Sequence, residues 1–327
     1  MLQNQSNPLG ELGSIRLKYG AVNPARWQAA DQNVPIPLQQ HPVYGLAVQS
    51  FGAVARDVQW LAGDTIIASA LLMHRRFLGV FRLTTLFRGP LWHHTNLKSA
   101  ETELACFKAL QNAYSPWRWN FLAVQPESAA SCETGGRYKQ AGFRRIMTGF
   151  STAWVDLSPD PNALRAALKG KWRNQLVKAE KEKLEISIGG RKPHQYAWLL
   201  EKESSQRSNR RYQATPLGLV PAFVAAATPK SGCSVLSVTA LFKRTKVAGA
   251  LFLLHGNSAT YHIGWAGQDG RALNAQNRVL WEGMLALKAA GIRFLDLGGL
   301  NTVDLAGIAR FKLGTGAKPV TLAGTYI

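Results

Sequence analysis

At 327 residues, with 46% hydrophobic and 18% charged residues, the chain can build one large or two modest hydrophobic cores, and its composition excludes a disordered polymer. The formal net charge is +20, from 15 basic against 8 acidic residues up to residue 150 and 24 against 11 after it. A field of that sign draws nucleic acid, nucleotides, anionic headgroups or lipid pyrophosphates without telling them apart.

After a polar start, "RDVQWLAGDTIIASALLMHRRFLGVFRLTTLFRGPLW" holds apolar runs broken at Gly63-Asp64 and near Gly79, the pattern of successive antiparallel strands. "LKSAETELACFKALQNAY" reads as a helix with Leu104, Phe107 and Leu110 on one face. "WNFLAVQPE" follows as a buried strand, "CETGGRYKQAG" as a short helix ending at Gly142, and "FRRIMTGFSTAWVDL" as one further strand.

The plan then repeats. "SPDPNALRAALKGKWRNQLVKAEKEK" opens as a helix that Ser158 or Asp160 can cap, with Pro161 in its first turn. Helices around 193–207 and 216–227 come next, then three strands with hairpin turns at Lys243-Arg244 and Gly256-Asn257. A helix closed by Gly291, the strand "IRFLDLGG", the short helix "DLAGIARFKLG" and the strand "VTLAGTYI" complete the chain. The shared element order predicts an α+β protein of two related domains, 1–155 and 156–327, each a mostly antiparallel mixed sheet flanked by helices.

In the basic helix, Leu164, Leu168, Trp172 and Leu176 recur every fourth residue and predict a buried seam, while Arg165, Lys169 and Arg173 form a stripe beside it. Such a stripe is either a solvated face, as charge runs usually are, or the wall of an anion groove. Arg207, Arg210 and Arg211 in "ESSQRSNRRY" are either suited to gripping phosphate or carboxylate or simply part of a solvated loop. His255, and Tyr261 with His262, flank one hairpin turn and can face the second domain's cleft, although ordinary packing of paired strand residues is the commoner reading. Lys312, next to Phe311 at the end of a short helix, can bring an ammonium to developing negative charge or cap the last carbonyls. Asp296 in "LDLGG" fits a turn organiser better than a base.

The three cysteines, Cys106, Cys132 and Cys233, form no CxxC or zinc spacing, and His93-His94 have no carboxylate at ligand spacing. These predict a reducing compartment and no metal. The first thirty residues lack a signal-peptide pattern, and no run of about eighteen apolar residues occurs, so export and membrane spanning are not expected. Attachment to a membrane surface by charge stays open.

"LFRGPLW", a strand ending "VDLS" before "KWRNQLVKAEK", then "GIRFLDLGG" and "GIARFKLGTGAKPVTLAGTY" occur in that order. Over residues 45–327 this resembles the Fem-like (FemAB) peptidyltransferases. The resemblance implies two GNAT-like domains in a cytoplasmic aminoacyltransferase; no cofactor is expected, and contact with the inner face of the membrane through a lipid-linked precursor stays open. Its donor would be an aminoacyl-tRNA, its acceptor an amine of a peptidoglycan precursor. The family's Phe-Lys pair matches Phe311 and Lys312, which makes Lys312 the favoured active-site residue; Lys169, Arg173, Arg207, Arg210, Arg211, Tyr261 and His262 are the substrate-binding candidates on their own chemistry. The coiled-coil arm of some members has no room, because "LEISIG" follows the basic helix at once. An acyl-CoA-dependent N-acyltransferase is the alternative, although "GQDGRALNAQNR" meets the acetyl-CoA loop pattern only raggedly. A nucleic-acid-binding module is the non-catalytic rival, supported by charge alone: no stacking-platform pattern, helix-turn-helix or zinc signature is present.

Overall fold

A computed structural model describes residues 14–23, 33–114, 116–190, 192–210, 215–228, 231–301 and 305–327. They form two compact units: the described residues up to Phe150 together with Thr321–Ile327, and Ser151–Val320.

The first unit contains β1 (Ile15–Gly20), α1 (Pro42–Gln49), β2 (Val54–Ala62), β3 (Thr65–Phe77), β4 (Phe81–Gly89), β5 (Leu91–Trp92), α2 (Ala100–Asn112), β6 (Asn120–Pro126), α3 (Cys132–Gln140) and β7 (Arg145–Met147). Gly63 and Gly79 take positive φ where β2, β3 and β4 reverse, which a side chain would strain. Ser99 Oγ accepts from Thr102 N at 3.0 Å and starts α2; Ser131 Oγ does the same for α3 through Thr134 N at 2.9 Å. Cys106, Phe107 and Leu110 of α2 pack on Val58, Trp60, Leu72 and Leu86 of the sheet, whereas Leu104 is only partly buried.

The second unit contains β8 (Ser151–Asp156), α4 (Pro161–Ala167), α5 (Gly170–Lys181), β9 (Glu185–Gly189), α6 (Ala197–Arg210), α7 (Leu219–Ala226), β10 (Ser234–Phe242), β11 (Thr245–His255), β12 (Ser258–Ala266), α8 (Gln268–Ala272), α9 (Ala275–Ala289), β13 (Phe294–Asp296), α10 (Ala306–Leu313) and β14 (Lys318–Thr321); β15 (Thr325–Tyr326) ends the chain. Asp160 Oδ1 caps α4 by accepting from Asn162 N and Ala163 N at 2.8 and 3.0 Å. Lys243 and Arg244 both take positive φ in the tight β10–β11 turn. Trp172, Leu176, Phe252, Leu280, Met284, Leu287 and Leu295 form the second core.

The first sheet runs β1-β2-β3-β4-β6-β15-β7, with β5 beside β3, and the second β14-β8-β13-β12-β11-β10-β9. In each, a run of antiparallel neighbours leads to one parallel pair, β4 with β6 and β12 with β13. Two predicted strands are divided between the sheets. "FRRIMTGFSTAWVDL" breaks into β7 in the first and β8 in the second, where β8 pairs with β13. The compact units therefore part at residue 150 rather than 155. A Cβ on Gly149 would stand 1.6 Å from Leu322 O, so the chain there can pass only as glycine. "VTLAGTYI" breaks likewise, Gly324 at φ +127 carrying the chain into β15, between β6 and β7.

The predicted basic helix is two helices. Leu168 and Lys169 are extended, with ψ of 135° and 143°, and Lys169 N donates to Gly314 O at 2.9 Å. The seam survives this break: Leu164, Leu168, Trp172 and Leu176 are all buried.

Candidate active site

Strands β12 and β13 pair at only three positions, the last being Thr260 opposite Asp296. Beyond it β13 stops while β12 continues through residues 261–266, so the sheet opens along that edge. A cavity of about 860 Å³ fills the opening. Its lining includes the cations Arg207, Arg271 and Lys312 and one carboxylate, Glu203.

A bulge shapes the wall. Phe252 faces Tyr261 and Leu251 faces Ile263, leaving His262 as an extra residue in β12. Neighbouring strand residues ordinarily point to opposite faces, but a bulge re-aims them, and both Tyr261 and His262 line the cavity. Tyr261 Oη accepts from Gln276 Nε2 at 2.9 Å, and burial pushes the phenol up to about 12. Burial first, and the Arg207 charge second, lower His262 to about 4. The imidazole is therefore neutral at physiological pH, and among the described residues its buried Nε2 has no hydrogen-bond partner.

Lys312 comes from the last turn of α10 and is only 9% exposed. Its Nζ donates to Gly299 O at 2.8 Å. Desolvation lowers its pKa to about 8, against the pull of Asp296. The fully buried Asp296 accepts from Thr152 Oγ1 and, at 2.8 Å, from Gly298 N. It thus organises the turn after β13, as its place before two glycines suggests, and it also supplies the charge that supports the ammonium. Phe311 packs against Trp172 with centroids 5.9 Å apart. It also borders a second cavity of about 430 Å³, lined by Lys169, Lys171, Gln175 and Arg310 among others.

Arg207 is held by Glu203 and the chain beside it: Nε donates to Glu203 Oε1 at 2.8 Å and Nη1 to Thr215 O at 2.6 Å. The structure therefore brings Arg207, Tyr261, His262, Phe311 and Lys312 to one cavity and Lys169 to its neighbour. Arg173 is exposed and lines neither. The side chain of Arg210, and Arg211 altogether, lie outside the described residues. Arg165, expected exposed in the basic stripe, instead forms a two-pronged ion pair with Glu180, at 2.7 and 2.5 Å, and lies over the Trp281 ring at 5.8 Å. Gln276 and Thr152 carried no sequence signal, because their contacts join different elements, whereas the Glu203–Arg207 pair has the i,i+4 helical spacing that could have shown it. Among the described residues no group of three or more His, Cys, Asp or Glu side chains is placed to hold a metal, and no helix is long and apolar enough to cross a membrane.

No family model matches the chain, and no curated protein sequence matches it. Solved structures do. FemX superposes with a TM-score of 0.75 at 12% identity, covering 94% of this chain and 96% of that one. A conserved protein of unknown function from Bacteroides thetaiotaomicron VPI-5482 gives 0.58 at 12% identity, over 95% and 98%. A tandem GNAT protein from the clavulanic acid biosynthesis pathway gives 0.55 at 12%, over 96% and 98%. The chain has a tandem GNAT-like fold. In this fold's second unit, the segment after β12 is a short helix, α8, whose Gly270 is pressed on β11: a Cβ there would stand 2.1 Å from Val247 O. That glycine serves close packing of α8 on β11.

Proposed function

We propose that the second unit is an acyltransferase site that moves an aminoacyl group from a charged tRNA to the amine of a peptidoglycan-precursor-like acceptor. The observation that carries this reading is Lys312: a cation held by Gly299 O in a poorly solvated cavity, beside Phe311, at the edge where β12 and β13 part. Acyl transfer from an ester to an amine forms a C–N bond and breaks a C–O bond. One proton leaves the amine and one reaches the departing ribose oxygen, so no net redox step or external acid is required. Negative charge collects on the carbonyl oxygen in the tetrahedral intermediate. A fixed cation in a low-dielectric site stabilises it there without reorganising, and alignment of amine and ester supplies much of the remaining rate.

Arg207, held by Glu203, is positioned to contact a phosphate or carboxylate of a substrate, and the neutral His262 offers an unpartnered buried nitrogen to it. The test presents charged tRNA with a peptidoglycan-precursor peptide, and acyl-CoA with the same acceptor, to wild type and Lys312→Met. Deacylation of tRNA coupled to acceptor modification, lost in Lys312→Met, supports the reading. Consumption of acyl-CoA alone moves the donor to that class, and tRNA binding without transfer leaves a binding module.

A further inference from the structure

The β3–β4 hairpin of the first unit ends in an apolar tip. Phe77, Leu78 and Val80 are 48%, 89% and 55% exposed. Beside it, Phe81 packs edge-on against Trp119 with centroids 4.9 Å apart, and Arg82 N donates to Trp119 O at 2.8 Å. The adjoining turn, Pro116–Arg118, carries Trp117, 95% exposed and two residues before the Trp119 that packs on Phe81. Exposed large residues scattered singly mean little, but a contiguous cluster marks an interaction surface.

Behind the tip stand arginines. Arg76 faces Arg82 directly across the strand pair, an arrangement that costs stability when nothing neutralises it. With Arg56 and Arg75 they line a depression of about 680 Å³ that has no acidic side chain in its lining. Among the described residues none of the four guanidiniums is paired with a carboxylate.

We propose that this hairpin docks on an anionic lipid bilayer, with Leu78, Val80 and Trp117 entering the interface and Arg75, Arg76 and Arg82 meeting lipid phosphates. The spacing agrees: at about 3.3 Å per strand residue, Arg76 lies roughly 7 Å behind Leu78. That is headgroup depth for apolar groups sunk about 5–10 Å into the boundary. Tryptophan is at home at that level, and guanidinium binds phosphate with two parallel hydrogen bonds. Single-stranded nucleic acid, which stacks on aromatic faces, would engage Trp117 but leave Leu78 and Val80, exposed at the tip itself, without a partner. The proposal stands independently of the transferase reading, for the hairpin shares no residue with the Lys312 cavity.

The experiment is co-sedimentation of the full chain with phosphatidylcholine vesicles, with and without phosphatidylglycerol, at low and high salt, beside a tRNA filter-binding assay. Wild type should pellet with the anionic vesicles and stay in solution with the neutral ones. Arg76→Gln and Arg82→Gln should each weaken vesicle binding roughly fivefold, from about 1 kcal/mol per basic residue near a charged surface. Leu78→Asn with Trp117→Ser should abolish it at high salt. Both changes are at exposed positions, and Asn accepts the positive φ of Leu78, so unchanged melts will certify folding. Failure of wild type to pellet overturns the proposal. So does a wild-type pellet from the tip variants, or arginine variants that lose tRNA while keeping vesicles.

Discussion

Lys312 illustrates how a residue can be read for its chemistry and misread for its surroundings. Its order after "GIARF" marks it out, but as a lysine at a helix end it is expected to be solvated. It is buried because the turn at Gly298 and Gly299 folds over it, a contact between elements that no local pattern encodes. Two effects on stability then oppose each other. Removing the side chain leaves Gly299 O without its donor, worth about 1–3 kcal/mol, but it also removes a desolvated charge. The shift from 10.5 to about 8 corresponds to a penalty on the order of 3 kcal/mol. The penalty is present in full below pH 8, where folded and unfolded chains both hold the proton. Between about 8 and 10.5 only the unfolded chain keeps it, so stability rises with pH across that window. Lys312→Met should thus melt close to wild type at pH 7 and fall behind it as pH rises toward 10.5, as paired thermal melts will record. Transfer should drop roughly a hundredfold or more in Lys312→Met, the usual consequence of losing a preorganised donor to an oxyanion. In wild type the rate should decline as pH rises through about 8, and Lys312→Arg should retain partial activity without that decline. A rate that instead rises through pH 8 would make the neutral amine the active form and the lysine a base.

Among the elements, the seam along α4 and α5 was legible because a four-residue period records which side is buried, whatever the chain does at one junction. The stripe beside it was not legible, since exposed and paired arginines have the same spacing. Only the fold brings Glu180 to Arg165 and also, at 3.1 Å, to Arg278 of α9. That carboxylate tethers α4 and α5 to α9, so Glu180→Gln should leave Arg165 without its counter-charge and Arg278 with Glu282 alone, at 2.9 Å, and lower the melting temperature. The effect should exceed that of an ordinary surface pair, because the three side chains are at most about one-third exposed. Turnover should be unaffected in Arg165→Met, whereas Lys169→Met, at the neighbouring cavity, should raise the KM for tRNA and flatten its salt dependence. Equal effects of the two changes on KM would return Arg165 to the substrate groove.

At the scale of the molecule, the duplicated α+β plan was legible in the element order, and the exchange of short strands was not. β7, β13 and β15 have three, three and two residues, too few for alternation to show a face or name a partner. Yet β15 is what joins β6 to β7. Tyr326 pairs with Val124 on one side and Arg145 on the other, is 2% exposed, and stacks on Tyr138 at 4.5 Å. Leu322 and Ala323 are buried with it, and Arg144 and Ile327 exchange backbone hydrogen bonds at 2.9 and 3.0 Å. Ending the chain after Val320 removes all of this and leaves the facing edges of β6 and β7 unpaired around a void in the first core. Deleting one buried aromatic commonly costs about 3–5 kcal/mol, against a total domain stability of about 5–15 kcal/mol. The truncated chain should therefore lose amide protection in β6, β7 and α3 while β10, β11 and β12 keep theirs, as hydrogen exchange will show. Tyr326→Phe separates the ring from its hydroxyl, which donates to Ala323 O at 3.1 Å, and should cost only about 1 kcal/mol. If β6 stays protected after the truncation, the first sheet does not depend on the strand it receives from the end of the chain.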